Sequence, residues 1–123
     1  ISSMMSPTII LQEGKPKIVL GSGGSNRIRT VLLQVISNLL DFNFSLEEAI
    51  NKPRVHWENN LFNLEPTKQL ETIENLRLPP DTEIILWQEL NMFFGGVHAV
   101  RLKEDNSLEA IGDPRRSGVG IIC

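Results

Sequence analysis

A glycine-rich segment contains the residues of this chain whose types and spacing point most directly to chemistry. The apolar pair Val19-Leu20 leads into the sequence GSGGS at positions 21–25, and an amphipathic stretch follows. This order predicts a strand, a tight turn and the start of a helix. Such a turn directs backbone N–H groups at one point in space, where a negative charge can be held. That charge would belong to a phosphate, a carboxylate or the oxyanion that forms during acyl transfer.

The spacing of the glycines disfavours both nucleotide-binding motifs. A phosphate-binding P-loop needs a lysine directly after its second glycine, and none follows here. A dinucleotide-binding turn needs a third glycine where this chain has Asn26. Two interpretations stay open from these residues alone. The segment is either a structural turn that needs positive φ angles or an oxyanion hole made by successive N–H groups.

Three other groups of residues have types that can do chemistry. Ser2 and Ser3 precede the first predicted strand, and such a serine pair either holds a carboxylate or simply leads into the strand. His56 and His98 have no second ligand at metal-binding spacing, so we expect structural or surface roles and no metal site. The sequence DPRR at 113–116 is either an anion clamp or a loop held by ion pairs.

The sequence around these groups predicts a mixed chain in which strands pair and helices pack beside them. Residues 8–12 and 16–21 form a predicted hairpin, and their consecutive apolar positions predict that both faces are covered. A helix is predicted over 26–41 with Ser25 as its N-cap, and a shorter one over 45–50 with a capping box between Ser45 and Glu48. Further predictions are one or two strands in 54–64 with a turn at 58–60, a helix over 67–77, a strand over 82–88, a loop at 91–95, and strands over 96–102, 107–111 and 118–122.

Length and composition bound the class of protein. The 123 residues suffice for a single ordinary domain, and 41% hydrophobic with 22% charged residues is typical of a folded chain. The net charge of −3 comes from 15 acidic and 12 scattered basic residues, which argues against nucleic acid as a partner. The single cysteine, Cys123, excludes an internal disulfide. No apolar run reaches the length of a membrane span, and the start at Ile1 predicts a piece processed or excised from a longer protein.

Five ordered motifs together resemble the γ-glutamyltranspeptidase family. They are SSMMSPT at 2–8, GSGGS at 21–25, EAINKPRVH at 48–56, GGVHAV at 95–100 and DPRR at 113–116. The similarity spans nearly the whole chain and is weakest over residues 58–92. Five motifs in order are far more specific than any one of them. The resemblance places residues 1–123 as a single-domain fragment in the C-terminal part of the family's small subunit.

The resemblance implies the fold and the reaction. The fold is that of an N-terminal nucleophile (Ntn) hydrolase, an αββα sandwich of the α+β class with antiparallel strands. In this family a precursor cleaves itself into a large and a small subunit. The new N-terminal threonine then attacks a γ-glutamyl amide such as that of glutathione, with its own α-amine as the base. The acyl group passes to water, an amino acid or a peptide, and no cofactor is implied.

The family's functional residues carry over onto two motifs of this chain. Ser2 and Ser3 match the serines that hold the α-carboxylate of the glutamyl group. Gly23 and Gly24 match the glycines whose N–H groups form the oxyanion hole. On this resemblance the glycine turn faces an oxyanion, and the serine pair holds the donor substrate.

Other parts of the family's active site have no counterpart in these residues. The catalytic threonine lies upstream of the serine pair in the family, and the threonines of this chain are internal, namely Thr8, Thr30, Thr67, Thr72 and Thr82. The large-subunit arginine that holds the α-carboxylate is also missing. We therefore expect the fragment alone to be inactive and its partners to be the rest of the small subunit and the large subunit. A homo-oligomer of the fragment is a further expectation, since such a piece exposes sheet edges and apolar faces.

Two features leave alternatives to a γ-glutamyl enzyme open. The sequence FGGVH at 94–98 and the ending GVGIIC at 118–123 are closer to acylase-like members, which act on other amides such as glutaryl or cephalosporin side chains. A stand-alone, non-catalytic binding or assembly module is the other alternative, and the encoding reading frame would distinguish it. The family resemblance implies a periplasmic or extracellular location, with the cytoplasm as the alternative.

Overall fold

The fold is known from a computed structural model, which describes residues 5–67 and 75–123. Within these ranges the chain forms seven strands, two α-helices and two short 3₁₀ turns. The strands are β1 Thr8–Gln12, β2 Lys15–Gly23, β3 Val55–Glu58, β4 Leu61–Leu64, β5 Glu83–Leu86, β6 Gly96–Leu102 and β7 Leu108–Ile111. The helices are α1 Arg27–Leu40 and α2 Leu46–Asn51, and the 3₁₀ turns are Met92–Phe94 and Pro114–Arg116.

The described strands form two sheets. The larger has the order β1-β2-β6-β7 and is antiparallel throughout. The smaller has the order β3-β4-β5, with β3 and β4 antiparallel and β4 and β5 parallel. The register of β2 and β6 sets Gly21 opposite His98 and Gly23 opposite Gly96. The predicted α+β class is confirmed, and the register brings two of the sequence motifs side by side.

The core lies between the larger sheet and the two helices. Every second residue of β2 faces inward, with Ile18 and Leu20 both buried. Helix α1 contributes a stripe at helical spacing, and α2 adds three apolar side chains. The core cluster comprises Ile18, Leu20, Val31, Val35, Leu39, Leu46, Ala49, Ile50, Val97 and Ala99.

The opposite face of the larger sheet, here called the outer face, is apolar and uncovered. Ile9 is 60% exposed, and Val19 and Val100 are 46% and 40% exposed. The prediction that β1 and β2 are covered on both faces is therefore wrong for the described residues. The reason is that both helices pack on the same side, so alternate side chains of each strand face away from them. An exposed apolar face of this kind is typical of a surface that another layer of structure covers.

The two predicted helix starts have opposite outcomes. At α2 the capping box is confirmed: the Glu48 N–H donates to the Ser45 hydroxyl, and the Ser45 N–H donates to the Glu48 carboxylate. At α1 the N-cap is Asn26 and not Ser25. Ser25 has a φ of 55°, in the left-handed region, whereas an N-cap whose side chain accepts from the helix has an extended backbone. Asn26 has helical angles, with φ −59° and ψ −22°, and makes no side-chain cap hydrogen bond. The glycine turn therefore continues one residue further than the sequence predicted.

The remaining predicted elements are mostly found near their expected places. Residues 54–64 form β3 and β4 around Asn59 and Asn60, whose φ angles of 51° and 61° suit a tight hairpin turn. The predicted final strand over 118–122 is wrong. This tail approaches β7 by close backbone contact, since a Cβ on Gly120 would lie 1.9 Å from the Ala110 carbonyl oxygen, but it forms no strand. The helix predicted over 67–77 falls mostly on residues outside the described ranges. Among the described helices, none is long and apolar enough to cross a membrane.

The buried hydroxyl of Ser22 gives a test of the core. Ser22 is 9% exposed, its hydroxyl has no hydrogen-bond partner, and it lies opposite fully buried Val97. Because a buried hydroxyl without a partner costs free energy, we expect Ser22→Ala to leave the free energy of unfolding within about 1 kcal/mol of wild type or to raise it. Val97→Ala, the matched change across the ladder, should lower it by about 1.5–3 kcal/mol. Denaturant unfolding measures both, and a large loss in Ser22→Ala would contradict the absence of a partner.

Candidate active site at the glycine turn

The glycine turn packs directly against a second pair of glycines, Gly95 and Gly96, through Gly95. Gly24 has a φ of +142° and Gly95 a φ of +73°, both in conformations that favour glycine. A Cβ added to Gly24 would lie 2.7 Å from the Gly95 Cα, and one added to Gly95 would lie 2.8 Å from the Gly23 carbonyl oxygen. The two backbones therefore touch where no side chain fits. The positive φ that the structural interpretation required is present at Gly24 but not at Gly23.

The turn leads straight into the N-terminus of α1. The Arg27 N–H donates to the Gly24 carbonyl at 3.1 Å, and the Ile28 N–H donates to the Ser25 carbonyl at 3.1 Å. Asn26 donates from its side chain to the Glu58 carboxylate at 3.2 Å, which ties the turn to β3. The partial positive charge of a helix N-terminus thus lies beside the glycines. This arrangement suits an anion, and developing negative charge in particular, next to the turn.

Behind the second glycine pair lies a buried network of four charged residues. Arg54, Glu65, Asp113 and Arg115 are between 0% and 7% exposed. Asp113 accepts from the Arg54 guanidinium at 2.6 Å and from the Val97 N–H at 2.8 Å. Glu65 accepts from Arg115 Nε at 2.6 Å, and the Arg115 Nη2 forms a further ion pair with it. Two cations therefore balance two carboxylates, as buried charges require.

This network holds the second glycine pair in place. The Arg54 guanidinium donates to the Gly95 carbonyl at 3.2 Å and to the Ile50 carbonyl at 3.0 Å. Burial alone would raise the pKa of the Asp113 carboxyl, but the Arg54 guanidinium and the Val97 N–H outweigh it and hold that pKa below its ordinary value. Asp113 is thus ionised at neutral pH. Gly95 is thus held on one side by the Arg54 guanidinium and on the other by its contact with the glycine turn.

The second interpretation of the DPRR turn, a loop held by ion pairs, is confirmed. Asp113 and Arg115 form an ion pair at 3.3 Å within the network, so they hold a loop, although in a buried rather than an exposed position. Sequence reasoning did not single out Arg54 or Glu65, the other two members. Arg54 lies within the EAINKPRVH motif, which carries no predicted role for it, and Glu65 lies in none of the five motifs. Arg115 and Glu65 are 50 residues apart along the chain. Only the fold brings them together.

His56 lies in a series of groups that superficially resembles a catalytic triad. Its Nδ1 is 3.0 Å from the Thr30 hydroxyl, and its Nε2 is 3.5 Å from the Glu58 carboxylate. The ring is only 4% exposed and packs edge-on against Phe93, with ring centroids 6.0 Å apart. The imidazole that would act as the base is thus enclosed by its neighbours, and its contact with Thr30 joins β3 to α1 inside the fold. The predicted structural role of His56 is therefore supported, with α1 and β3 as the elements that it joins.

Of the other candidate residues, the structure describes His98 but not the serine pair. Ser2 and Ser3 lie outside the described residues, so their role stays a prediction. His98 is exposed on the outer face, as expected for a surface position, and its Nδ1 accepts from the Asp113 N–H at 3.2 Å. In the described part of the chain, no group of three His, Cys, Asp or Glu residues could hold a metal ion.

Comparisons with known proteins agree with the resemblance. The family model described as Gamma-glutamyltranspeptidase matches residues 1–123. The glutathione hydrolase proenzyme of Pseudomonas aeruginosa is 33% identical over 98% of this chain and 22% of its own length. The acylase ACY 1 proenzyme of Pseudomonas sp. strain SE83 is 28% identical over 98% of this chain and 21% of its own length. The chain thus spans about a fifth of these curated relatives.

A solved structure extends the comparison to the fold. The γ-glutamyltranspeptidase of Pseudomonas nitroreducens, determined in complex with L-DON, aligns with a TM-score of 0.76 and 30% sequence identity. The alignment covers 99% of this chain and 63% of that one. The arrangement of strands and helices described above is therefore one that Ntn hydrolases of this kind adopt.

Removal of one member of the buried network tests its importance for folding. We expect Arg54→Met to lower the free energy of unfolding by about 3–5 kcal/mol, because Asp113 would keep a buried charge without its main partner. Arg29→Met, at an exposed position of α1, is the matched control and should change it by less than about 0.5 kcal/mol. Denaturant unfolding measures both. A loss below about 1 kcal/mol in Arg54→Met would mean that the network does not hold the glycine pair.

Proposed function

The chain belongs to the γ-glutamyltranspeptidase family, and from this membership we propose that the protein of which it is part cleaves γ-glutamyl amides through an acyl-enzyme. In this proposal glutathione is a representative substrate, and water, an amino acid or a peptide accepts the acyl group. The nucleophile is the N-terminal threonine of the small subunit, with its α-amine as base. The described residues contribute the electrostatic part of the site rather than the nucleophile.

The observation that carries this proposal is the contact between Gly24 and Gly95. Gly24 has no side chain, lies beside a helix N-terminus and touches Gly95, which the buried Arg54 guanidinium holds, so this part of the turn is pre-organised before any substrate arrives. Pre-organised N–H donors stabilise the tetrahedral intermediate without a reorganisation cost in the transition state. Gly23 and Gly24 are the proposed donors of the oxyanion hole.

The substrate and the partner subunits complete the proposal. Ser2 and Ser3 hold the α-carboxylate of the γ-glutamyl group in this assignment. The rest of the small subunit, together with the large subunit, packs on the uncovered outer face and supplies the second sheet of the αββα sandwich. The exposed side chains of Ile9, Val19 and Val100 support this placement, since they present apolar surface there. In the isolated chain, a second copy would pack on the same face.

An acylase-like amidohydrolase is the second candidate. The similarity to the acylase ACY 1 proenzyme favours it, because 98% of this chain is covered at 28% identity. The two candidates share the oxyanion hole and the acyl-enzyme and differ only in the acyl group. Parallel assays of γ-glutamyl and glutaryl amides with the full-length protein distinguish them, since kcat/KM ranks the two acyl groups directly.

The glycine turn can be tested in the full-length protein with Gly24→Ala. The added Cβ would meet Gly95 and strain a φ of +142°, which displaces the N–H groups. We expect kcat for γ-glutamyl-4-nitroanilide to fall by about 10²- to 10³-fold with little change in KM, as for a group that acts in the transition state. The amount of processed subunits serves as the control for folding. Unchanged kcat in correctly processed protein would refute the role of this turn.

The isolated 123-residue chain should not hydrolyse γ-glutamyl-4-nitroanilide. Without an N-terminal threonine, an oxyanion hole has no acyl-enzyme to stabilise. The measurement is the release of 4-nitroaniline by homogeneous chain, with the full-length protein as the positive control. Turnover by the isolated chain would place the nucleophile within these residues and overturn the assignment.

A further inference from the structure

Polar side chains on one face of α1 form a line of hydrogen bonds with β3. They are spaced four residues apart, as one face of a helix requires, and are Asn26, Thr30 and Gln34. Their partners follow in the reverse order along the chain and are Glu58, His56 and Val55. The helix that begins at the glycine turn is therefore held by the smaller sheet as well as by the apolar core.

The contact of Gln34 with Val55 fixes where α1 lies along β3. The Val55 N–H donates to Gln34 Oε1 at 2.9 Å, and Gln34 Nε2 donates to the Val55 carbonyl at 2.9 Å. The carboxamide thus takes the place of a neighbouring strand on β3, the outermost strand of its described sheet. Because both hydrogen bonds must be kept together, α1 cannot shift along the strand without losing them.

Asn26 is the member of this line that lies next to the glycine turn. It is the N-cap of α1, yet its side chain accepts no hydrogen bond from the helix. An asparagine at this position usually accepts from the first turn of its helix. Here its amide donates instead to Glu58 Oε1 at 3.2 Å. The residue two positions after Gly24 is therefore held by a side chain of β3.

The carboxylate of Glu58 is in turn held by His56. Glu58 Oε2 lies 3.5 Å from His56 Nε2, and the two side chains are 33% and 5% exposed, respectively. The His56 Nδ1 lies 3.0 Å from the Thr30 hydroxyl, so a neutral imidazole can accept there and donate from Nε2 to the carboxylate. One oxygen of Glu58 thus faces the imidazole and the other faces Asn26.

We propose that Glu58 is a positioning residue for the glycine turn, acting through its hydrogen bond with Asn26. In the proposed function, on which this inference rests, the N–H groups of the turn stabilise an oxyanion. A displacement of about 1 Å from the productive geometry can lower a rate by about 100-fold. Gly24 is held through Gly95 and the Arg54 guanidinium. Glu58 holds the other end of the turn, where it joins α1.

The test compares Glu58→Ala with Glu58→Gln in the full-length protein, with γ-glutamyl-4-nitroanilide as the substrate. We expect Glu58→Ala to lower kcat by about 10-fold with KM within about twofold of wild type, because the turn acts in the transition state. Glu58→Gln keeps an oxygen that accepts from Asn26, and its amide can donate to the other tautomer of His56. It should therefore retain at least about half of the wild-type kcat. An equal loss in both variants would overturn the inference.

A double-mutant cycle separates this hydrogen bond from general damage. Asn26→Ala should lower kcat as much as Glu58→Ala does, and the double variant should lose no more, because both changes remove the same interaction. Glu83→Ala is the matched control, since Glu83 is an exposed glutamate level with Glu58 across β4. It should leave kcat unchanged. Additive losses in the double variant, or wild-type kcat in Glu58→Ala, would contradict the proposed role.

Hydrogen exchange keeps this inference distinct from the proposed function. The backbone amides of residues 21–29 are followed by mass spectrometry in the full-length protein. We expect them to exchange about 10-fold faster in Glu58→Ala but not in Glu58→Gln or Glu83→Ala. If the protein cleaves neither γ-glutamyl nor glutaryl amides, the proposed function fails, yet this pattern would still support the positioning of the turn by Glu58. Unchanged exchange in Glu58→Ala would overturn it, as would faster exchange with wild-type kcat in an active enzyme.

Discussion

The buried charges of Arg54, Glu65, Asp113 and Arg115 form the constraint on which the rest of the structure depends. None of them tolerates the loss of its partners, because a lone charge in a protein interior is costly. They come from three places in the chain, so the network joins the start of β3, the end of β4 and the turn after β7, which supplies both Asp113 and Arg115. Arg54 and Arg115 also donate to the Ile50 carbonyl, which anchors the C-terminal part of α2 at the same point. The glycine contact lies next to this assembly and takes its rigidity from it.

The sequence correctly predicts local hydrogen bonds whose partners are close together along the chain. Ser45 and Glu48 form the predicted capping box because both hydrogen bonds close within one helical turn. Ser25 was misassigned as a cap because its residue type suits that role while its φ of 55° does not. Sequence type cannot report a backbone angle that the packing of Gly24 on Gly95 imposes.

Longer-range features were out of reach for a different physical reason. The Arg54 side chain reaches Asp113 across 59 positions, and burial is what turns these residues from surface charges into a network. Likewise, consecutive apolar residues in β1 and β2 predicted two covered faces, although the described helices cover only one. Apolar residues on a strand face predict that the face is buried, but they do not predict which segment of the protein covers it. The two glycine motifs are recognisable in the sequence, whereas the contact of Gly24 with Gly95 depends on the pairing of β2 with β6.

The order of strands in the larger sheet also bears on how this site comes to exist during folding. β1 with β2 and β6 with β7 are each hairpins of neighbouring segments, but β2 and β6 are separated by both helices and the smaller sheet. Local hairpins close cheaply, whereas pairing across such a separation must overcome the entropy of a long loop. Gly24 belongs to one hairpin side and Gly95 to the other, so their contact arises only when the two halves meet. The contact of Gly24 with Gly95 is consequently a product of the long-range pairing of β2 with β6 rather than of any segment on its own.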